Sequence, residues 1–373
     1  MRILVDYRPA LRSRTGVGEY VHQMVHAYTR MHDDAVAVFT SSWSDRPHPA
    51  VQADLRAFVV DRRIPVRVLN LLWHRAGWPP VEWLAGPVDV VHSQHPLLIP
   101  SRRAARVITI HDLFFLTHPE RTRAEIRRDY AALAASHARR ADAIVTSSHY
   151  TKRVISERFD VPPERIHVCS PGPPQWRTLG YQPNVPPDGY ILFLGTLEPR
   201  KNIGTLLDAY AQLRQRLPSA PRLVLAGGAS ADAQEWLDRI GRPPLQGHVD
   251  HLGYVTDQQR EGVYAGARVL VLPSWDEGFG LPALEAMSAG VPVVVSTRGS
   301  LPEVVGEAGT LIEPGDADGF AAAMERLCTD TALAEAHGRA GLQRAQAFRW
   351  EQGAATLRHA YLDAVARRAG GTA

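Results

Sequence analysis

The sequence predicts two open α/β domains in tandem, each a parallel sheet covered by helices on both faces. Two observations carry this. Near-continuous Val/Ile/Leu runs alternate with amphipathic segments of helix length, the pattern of strands buried on both faces. That rhythm halts at a Pro- and Gly-rich stretch near 178–189, including "YQPNVPPDGY", and then restarts. At 373 residues the chain is too long for one ordinary core and suits two of middling size. The boundary is placed at about 180, giving domains 1–180 and 181–351.

In the first domain, strands are expected at 2–7, 36–41, 88–93, 106–112 and 143–148, with helices near 17–31, 121–140 and 149–159. In the second, strands are expected at 191–196, 222–228, 249–255, 268–274 and 291–297. Its helices fall at 202–216, 257–265, 281–289, 317–328 and 331–347, with a last one from Trp350 to about Arg368. Ligands of such sheets bind beyond the carboxyl ends of the strands. Two such domains therefore predict an active site in an interdomain cleft.

Hydrophobic content of 45% and charged content of 22% describe a soluble globular protein. Cys169 and Cys328 are too few and too far apart for a disulfide framework, which favours a reducing cytoplasm. "MRILVDYRPA" runs directly into a strand and is no signal peptide, and no apolar run approaches the roughly 20 residues that span a bilayer. The net charge of +3 hides an asymmetry: residues 1–180 hold 25 Lys and Arg against 17 Asp and Glu, the rest 17 against 22. A basic first half suits an anionic partner such as a phosphate-bearing acceptor or a membrane surface, though habitual use of Arg explains it equally well. No zinc-finger spacing, RNA-binding signature or clustered basic helix points to nucleic acid.

Four stretches carry candidate chemistry. "EGFGLPALE" follows a buried strand and opens a helix, with Glu277 in the loop, Pro282 in the first turn and Glu285 about one turn in. Gly278 and Gly280 let backbone approach a ligand, and the helix start favours an anion. Two carboxylates beside a bound phosphate have hydroxyls as their natural partners, which together describe a nucleotide sugar. The plainer reading is a tight turn with Glu285 solvated. "GTLEPRKN" puts Gly195 at a strand end and Arg200 and Lys201 before a helix, where two cations oppose the helix dipole unless they are solvated or meet a diphosphate. "RTGVGEY" offers Gly16 and Gly18, but it lacks the third glycine and the later acid of a dinucleotide fingerprint. "TIHDLFF" sets His111 and Asp112 at a strand end, where functional residues and satisfied polar groups both occur. Asp316 and Asp318 have DxD spacing but precede a helix, so capping explains them better. His92 and His95 lack a nearby third ligand, and no metal is expected.

Taken together, "TGVGEY", "IHDLFF", "TSSHYTKRVI", "FLGTLEPRKNIGTLLDAY", "VLAGG", "HLGYV", "EGFGLPALEAMSAGVPVVVS" and "FRWEQGAATLRHAYLDA" resemble the retaining nucleotide-sugar glycosyltransferases of family 4 over nearly the whole chain. The resemblance implies the GT-B fold, two Rossmann-like domains with parallel sheets facing a cleft. The first would bind the acceptor, the second the donor, and the closing helix, 352–373, would pack back on the first. It implies that Glu277 holds donor-sugar hydroxyls, with backbone N–H groups from Gly278 through Phe279 and Gly280 to Leu281 around the sugar and phosphate. Glu285 would hold the ribose, and Arg200 and Lys201 the diphosphate, with Gly16 and Gly18 lining its other side. Gly195 would belong to the same phosphate motif, His111 would lie against the reacting sugar, and backbone near Tyr254 and Val255 would contact the base. Many relatives have arginine directly after the strand glycine, where this chain has Thr196; Arg200 is taken to supply that charge.

The implied reaction retains anomeric configuration through an oxocarbenium-like transition state, with a diphosphate oxygen taking the acceptor proton and no cofactor beyond the nucleotide-diphosphate sugar. GDP-mannose is the leading donor, and a glycan or lipid-linked glycan of bacterial surface polysaccharide the leading acceptor. Trp73, Trp78 and Trp83 near Arg75 either pack on their own sheet, stack on sugar rings or rest on the inner membrane face. The rivals are a nucleotide-sugar epimerase, a phosphorylase-like enzyme with pyridoxal, a catalytically silent scaffold of the same fold, and an NAD oxidoreductase, the last disfavoured by the incomplete fingerprint.

Overall fold

The computed structural model describes residues 1–11, 16–117, 133–176, 184–186 and 188–370. By internal contacts the chain divides into one unit of Met1–Pro171 with Arg349–Ala373 and a second of Gly172–Phe348. Of the expected linker, 178–183 and 187 lie outside the described residues, as does most of the helix expected at 121–140, of which 133–140 is helical.

The first unit holds strands β1 (Arg2–Asp6), β2 (Ala35–Ser41), β3 (Phe58–Arg62), β4 (Val90–Ser93), β5 (Ala105–Thr109), β6 (Ala143–Thr146) and β7 (Ile166–Val168). They form one sheet in the order β3-β2-β1-β4-β5-β6-β7, every pairing parallel. Side chains alternate across it as a strand requires. Ile3 and Val5 join Val36, Val38, Val90 and Val107 on one face, under the helices Gly16–Met31 and Trp350–Gly370. Leu4, Phe39 and Val91 pack on the other face with Leu69 and Trp73, and Ile108 and Ile144 continue it in a neighbouring cluster. The last helix is tied down by polar contacts as well: the Tyr361 hydroxyl lies 2.8 Å from His92 Nδ1.

The second unit holds β8 (Tyr190–Leu194), β9 (Leu223–Ala226), β10 (Val249–Gly253), β11 (Ala267–Leu272), β12 (Val293–Ser296) and β13 (Thr310–Ile312). Their order is β10-β9-β8-β11-β12-β13, again all parallel. β8 and β11 are neighbours in register Tyr190↔Ala267 and Leu192↔Leu270. Strand order reverses there, which makes the loops leaving these two strands the natural ligand position. The three strands that the hydrophobic pattern missed, β3, β7 and β13, all lie at sheet edges.

Candidate active site

Beyond β8 the chain passes Gly195 and makes one 3-10 turn, Pro199–Lys201, before the helix Ile203–Arg216. Asn202 joins turn to helix in the left-handed conformation (φ 57°), which a short polar side chain tolerates. Its amide donates to the carbonyls of Pro273 (3.0 Å) and Pro314 (2.7 Å), and its oxygen accepts from Thr205 (2.8 Å). The Trp275 N–H donates to the Arg200 carbonyl at 2.9 Å. These bonds staple the turn bearing Arg200 and Lys201 to the loop that leaves β11.

That loop delivers Glu277 into the two cations. Lys201 Nζ donates to Oε1 at 2.6 Å, Arg200 Nη1 to Oε2 at 3.2 Å, and the Ser274 hydroxyl to Oε1 at 2.7 Å. Arg200 also donates to Glu198 (2.9 Å) and to the Asp276 carbonyl (3.1 Å). Glu277 is 5% exposed and Lys201 7%, so water screens the cluster little. Burial pushes the Glu277 carboxyl up, but Lys201, then Arg200, and the hydrogen bonds from Lys201 and Ser274 outweigh it and hold the group at about 2. Glu277 is therefore ionised near neutral pH: it accepts hydrogen bonds and donates no proton. The conflict between two cations and a helix start is relieved inside the chain, by Glu277 and Glu198.

After Glu277 the chain turns through Gly280 at φ +94°, where an added Cβ would lie 2.6 Å from Leu301 Cδ2, and starts the helix Leu281–Ser288. The Phe279 ring stands edge-on to Phe348 (5.6 Å) and belongs to the core, which leaves its backbone for any ligand. Glu285 is buried, with Oε1 accepting from Arg260 Nη1 and Oε2 from the Tyr264 hydroxyl, each at 2.8 Å. Arg260 and Tyr264 sit four apart on the helix Asp257–Ala265 and so share a face. Tyr254 follows β10 and is exposed, while Val255 packs partly on the core. Sequence reasoning overlooked Arg260, Tyr264, Ser274 and Asn202. The four-residue spacing of Arg260 and Tyr264 puts both on one face of the helix feeding β11, but nothing in it points to Glu285.

In the first unit, His111 follows β5, partly buried and edge-on to Tyr20 at 5.2 Å, with Nε2 out of contact with any hydrogen-bond partner among the described residues. Burial lowers its pKa to about 4 against the opposing charge of Asp112, so the imidazole is neutral at pH 7. Gly16 opens the helix Gly16–Met31, whereas Gly18 has a packing reason of its own: a Cβ there would lie 2.8 Å from the Pro9 carbonyl oxygen. Residues 12–15 of that loop lie outside the described residues. His92 is engaged by Tyr361 and Thr109, and His95 stands beside the buried Asp6–Arg8 pair. No cluster of three or more His, Cys, Asp or Glu suited to a metal occurs among the described residues. Asp316 caps its helix through the Gly319 N–H (2.8 Å), and Asp318 pairs with Arg216 at the surface.

Fold and site together define the class as a protein of two parallel-sheet units, the second with a buried cation–carboxylate cluster at its switch point. Residues 14–173 match the model of "Glycosyltransferase Family 4" and 188–330 that of "Glycosyl transferases group 1". The chain is 31% identical over 372 residues to the O-antigen chain mannosyltransferase B of Escherichia coli, covering 94% of this chain and 97% of that protein. The chain belongs to this glycosyltransferase family. The fold is GT-B: sucrose-phosphate synthase of Thermosynechococcus elongatus superposes with a TM-score of 0.77 at 22% identity, covering 97% of this chain and 98% of that one. HepE of Anabaena, in complex with UDP and glucose, gives 0.71 at 18% identity over 96% and 98%.

Proposed function

We propose that the chain transfers a mannosyl residue from GDP-mannose to a glycan or lipid-linked glycan of bacterial surface polysaccharide, with retention and without metal or other cofactor. The observation that carries this reading is the buried Lys201–Glu277–Arg200 cluster at the carboxyl ends of β8 and β11. The bond from the anomeric carbon to the diphosphate breaks, the acceptor oxygen bonds that carbon on the same face, and the acceptor proton passes to a diphosphate oxygen. Lys201 and Arg200 meet the leaving diphosphate, which competes with Glu277 for them. The Glu277 carboxylate, fully ionised, then has sugar hydroxyls as acceptor work. Glu285, fixed by Arg260 and Tyr264, holds the ribose, and backbone from Gly278 to Leu281 lines the sugar and phosphate. The roles of Gly16, Gly18, Gly195, His111, Tyr254 and Val255 are those the family resemblance implies. The E. coli relative's mannosyl transfer supports the choice of sugar.

The test is release of nucleoside diphosphate from GDP-mannose, UDP-glucose, UDP-N-acetylglucosamine and ADP-glucose in the presence of EDTA and lipid-linked glycan acceptors. NMR of the product then reads the anomeric configuration. GDP release with an α-linked product supports the proposal; an EDTA-sensitive rate, an inverted product or another preferred donor overturns the corresponding part.

A further inference from the structure

Alternate residues of a strand share a face. On β5 that puts Val107 and Thr109 in one row, which runs on to His111 just past the strand's end. Val107 joins the apolar cluster under the helices Gly16–Met31 and Trp350–Gly370, and His92 is its partner in the register of β4 and β5. In this layer His92, Thr109 and Gln94 are 1%, 0% and 5% exposed, so water cannot stand in for a missing hydrogen-bond partner. Burial chiefly, and then the nearness of His111, hold the His92 pKa down at about 3, so its imidazole is neutral and carries one proton. Gln94 Nε2, which can only donate, stands 3.2 Å from His92 Nδ1, and the Tyr361 hydroxyl stands 2.8 Å from the same atom. Nδ1 therefore accepts, and the proton sits on Nε2, which donates it to Thr109 Oγ1 at 2.8 Å. The Thr109 hydroxyl donates in turn to Gln94 Oε1 at 3.2 Å, which closes a cycle of three side chains.

A buried polar group left half paired is costly, so a closed cycle permits one arrangement and rigidifies what it joins. Apolar side chains would fill this layer as well, as Val90 and Val107 do beside it. What the cycle joins is the carboxyl end of β5, two residues before His111, to the chain leaving β4. The Gln94 backbone faces the His111 imidazole and, after the Asp112 charge, opposes the effect of burial on it. Tyr20 bounds the imidazole edge-on at 5.2 Å, its own hydroxyl donating to the Cys169 carbonyl at 2.8 Å. We propose that Thr109 and Gln94 are positioning residues for His111: their shared cycle with His92 locks the ends of β4 and β5 together and so fixes where the His111 imidazole stands. They act through His111, and the inference rests on the reading that His111 lies against the donor sugar.

Thr109→Val keeps the shape of the side chain and removes both of its bonds in the cycle, and Thr109→Ser restores the hydroxyl. NMR of the full chain reads the His111 imidazole without any donor present. Its titration midpoint should rise from about 4 toward 6.5 in Thr109→Val, as the loosened strand end lets water in, and should return in Thr109→Ser. Gln94→Met opens the cycle at another corner and should move the midpoint the same way, which keeps the test available if Thr109→Val does not fold. In a GDP-mannose turnover assay, kcat should fall about 10- to 100-fold in both variants, the usual consequence of a misplaced group. Affinity for GDP alone, measured by calorimetry, should stay close to wild type. A lower melting temperature with the His111 midpoint and kcat unchanged would make the cycle structural only and overturn the proposal. A loss of GDP affinity as large as the loss in kcat would mean general loosening and overturn it too. Full turnover in His111→Ala would instead overturn the role given to His111, and the NMR comparison would still decide whether Thr109 and Gln94 position it.

Discussion

Replacing Lys201 by methionine keeps the length of the side chain and removes its charge. Glu277 would retain Arg200 at 3.2 Å and Ser274 at 2.7 Å but lose its 2.6 Å partner, in a position 5% exposed. Stranding one member of a buried ion pair costs about 3–5 kcal/mol. The net depression of Glu277 from 4.5 to about 2, its partners' effect less the opposing cost of burial, corresponds to about 3 kcal/mol, the lower end of that range. For a unit of this size that is a fall of about 6–12 °C in melting temperature. Adding Glu277→Gln removes the stranded charge and should recover part of the loss. Transfer should fall about 100- to 1,000-fold in the single variants and stay low in the double variant, since the diphosphate still lacks Lys201. Calorimetry and a donor-turnover assay on all four proteins complete the cycle. A Lys201→Met protein that melts like wild type, or a double variant no more stable than the single, refutes the buried-pair reasoning. Full turnover in Lys201→Met removes the lysine from the leaving group. The pH sign follows: the folded pKa is depressed, so the contribution of Glu277 is present above about pH 4.5 and is lost as pH falls toward 2.

Arg260→Leu should raise the donor KM about 10- to 100-fold with a smaller change in kcat, because Glu285 loses a charged hydrogen bond, and Arg260→Lys should restore part of it. Gly280→Ala should cost about 1–3 kcal/mol in a denaturant titration, since alanine is strained at φ +94° and its Cβ meets Leu301. NMR should show the His111 imidazole titrating near 4. Stability should decline as pH drops from 6.5 toward that value, because the unfolded chain takes up the proton first; an inflexion at 6.5 would contradict it. Asp318→Ala should leave both turnover and melting close to wild type, as befits an exposed ion pair and a helix capped by Asp316.

Legibility followed burial. Strands in the middle of each sheet, such as Leu223–Ala226 with every residue buried, announce themselves as unbroken apolar runs. β3 and β13 have partly exposed residues throughout, and their alternation carries no such signal. Asp316 was readable as a cap from its place before an apolar-periodic segment, and the structure shows that bond. Arg260 was not, because its partner Glu285 lies 25 positions away and nothing in local spacing couples them.

The sequence alone determined the class of fold, two parallel-sheet domains, and the family, because both are written in local hydrophobic period and in short contiguous motifs. It also singled out Glu277, Glu285, Arg200 and Lys201 as candidate site residues. Only the tertiary structure decided how their charges are balanced: Glu277 against Lys201 and Arg200, Glu285 against Arg260 and Tyr264. The reason is physical. A strand order that reverses between β8 and β11 brings together loops 76 positions apart in the chain, and the energy of a buried charge depends on what stands within a few ångströms of it.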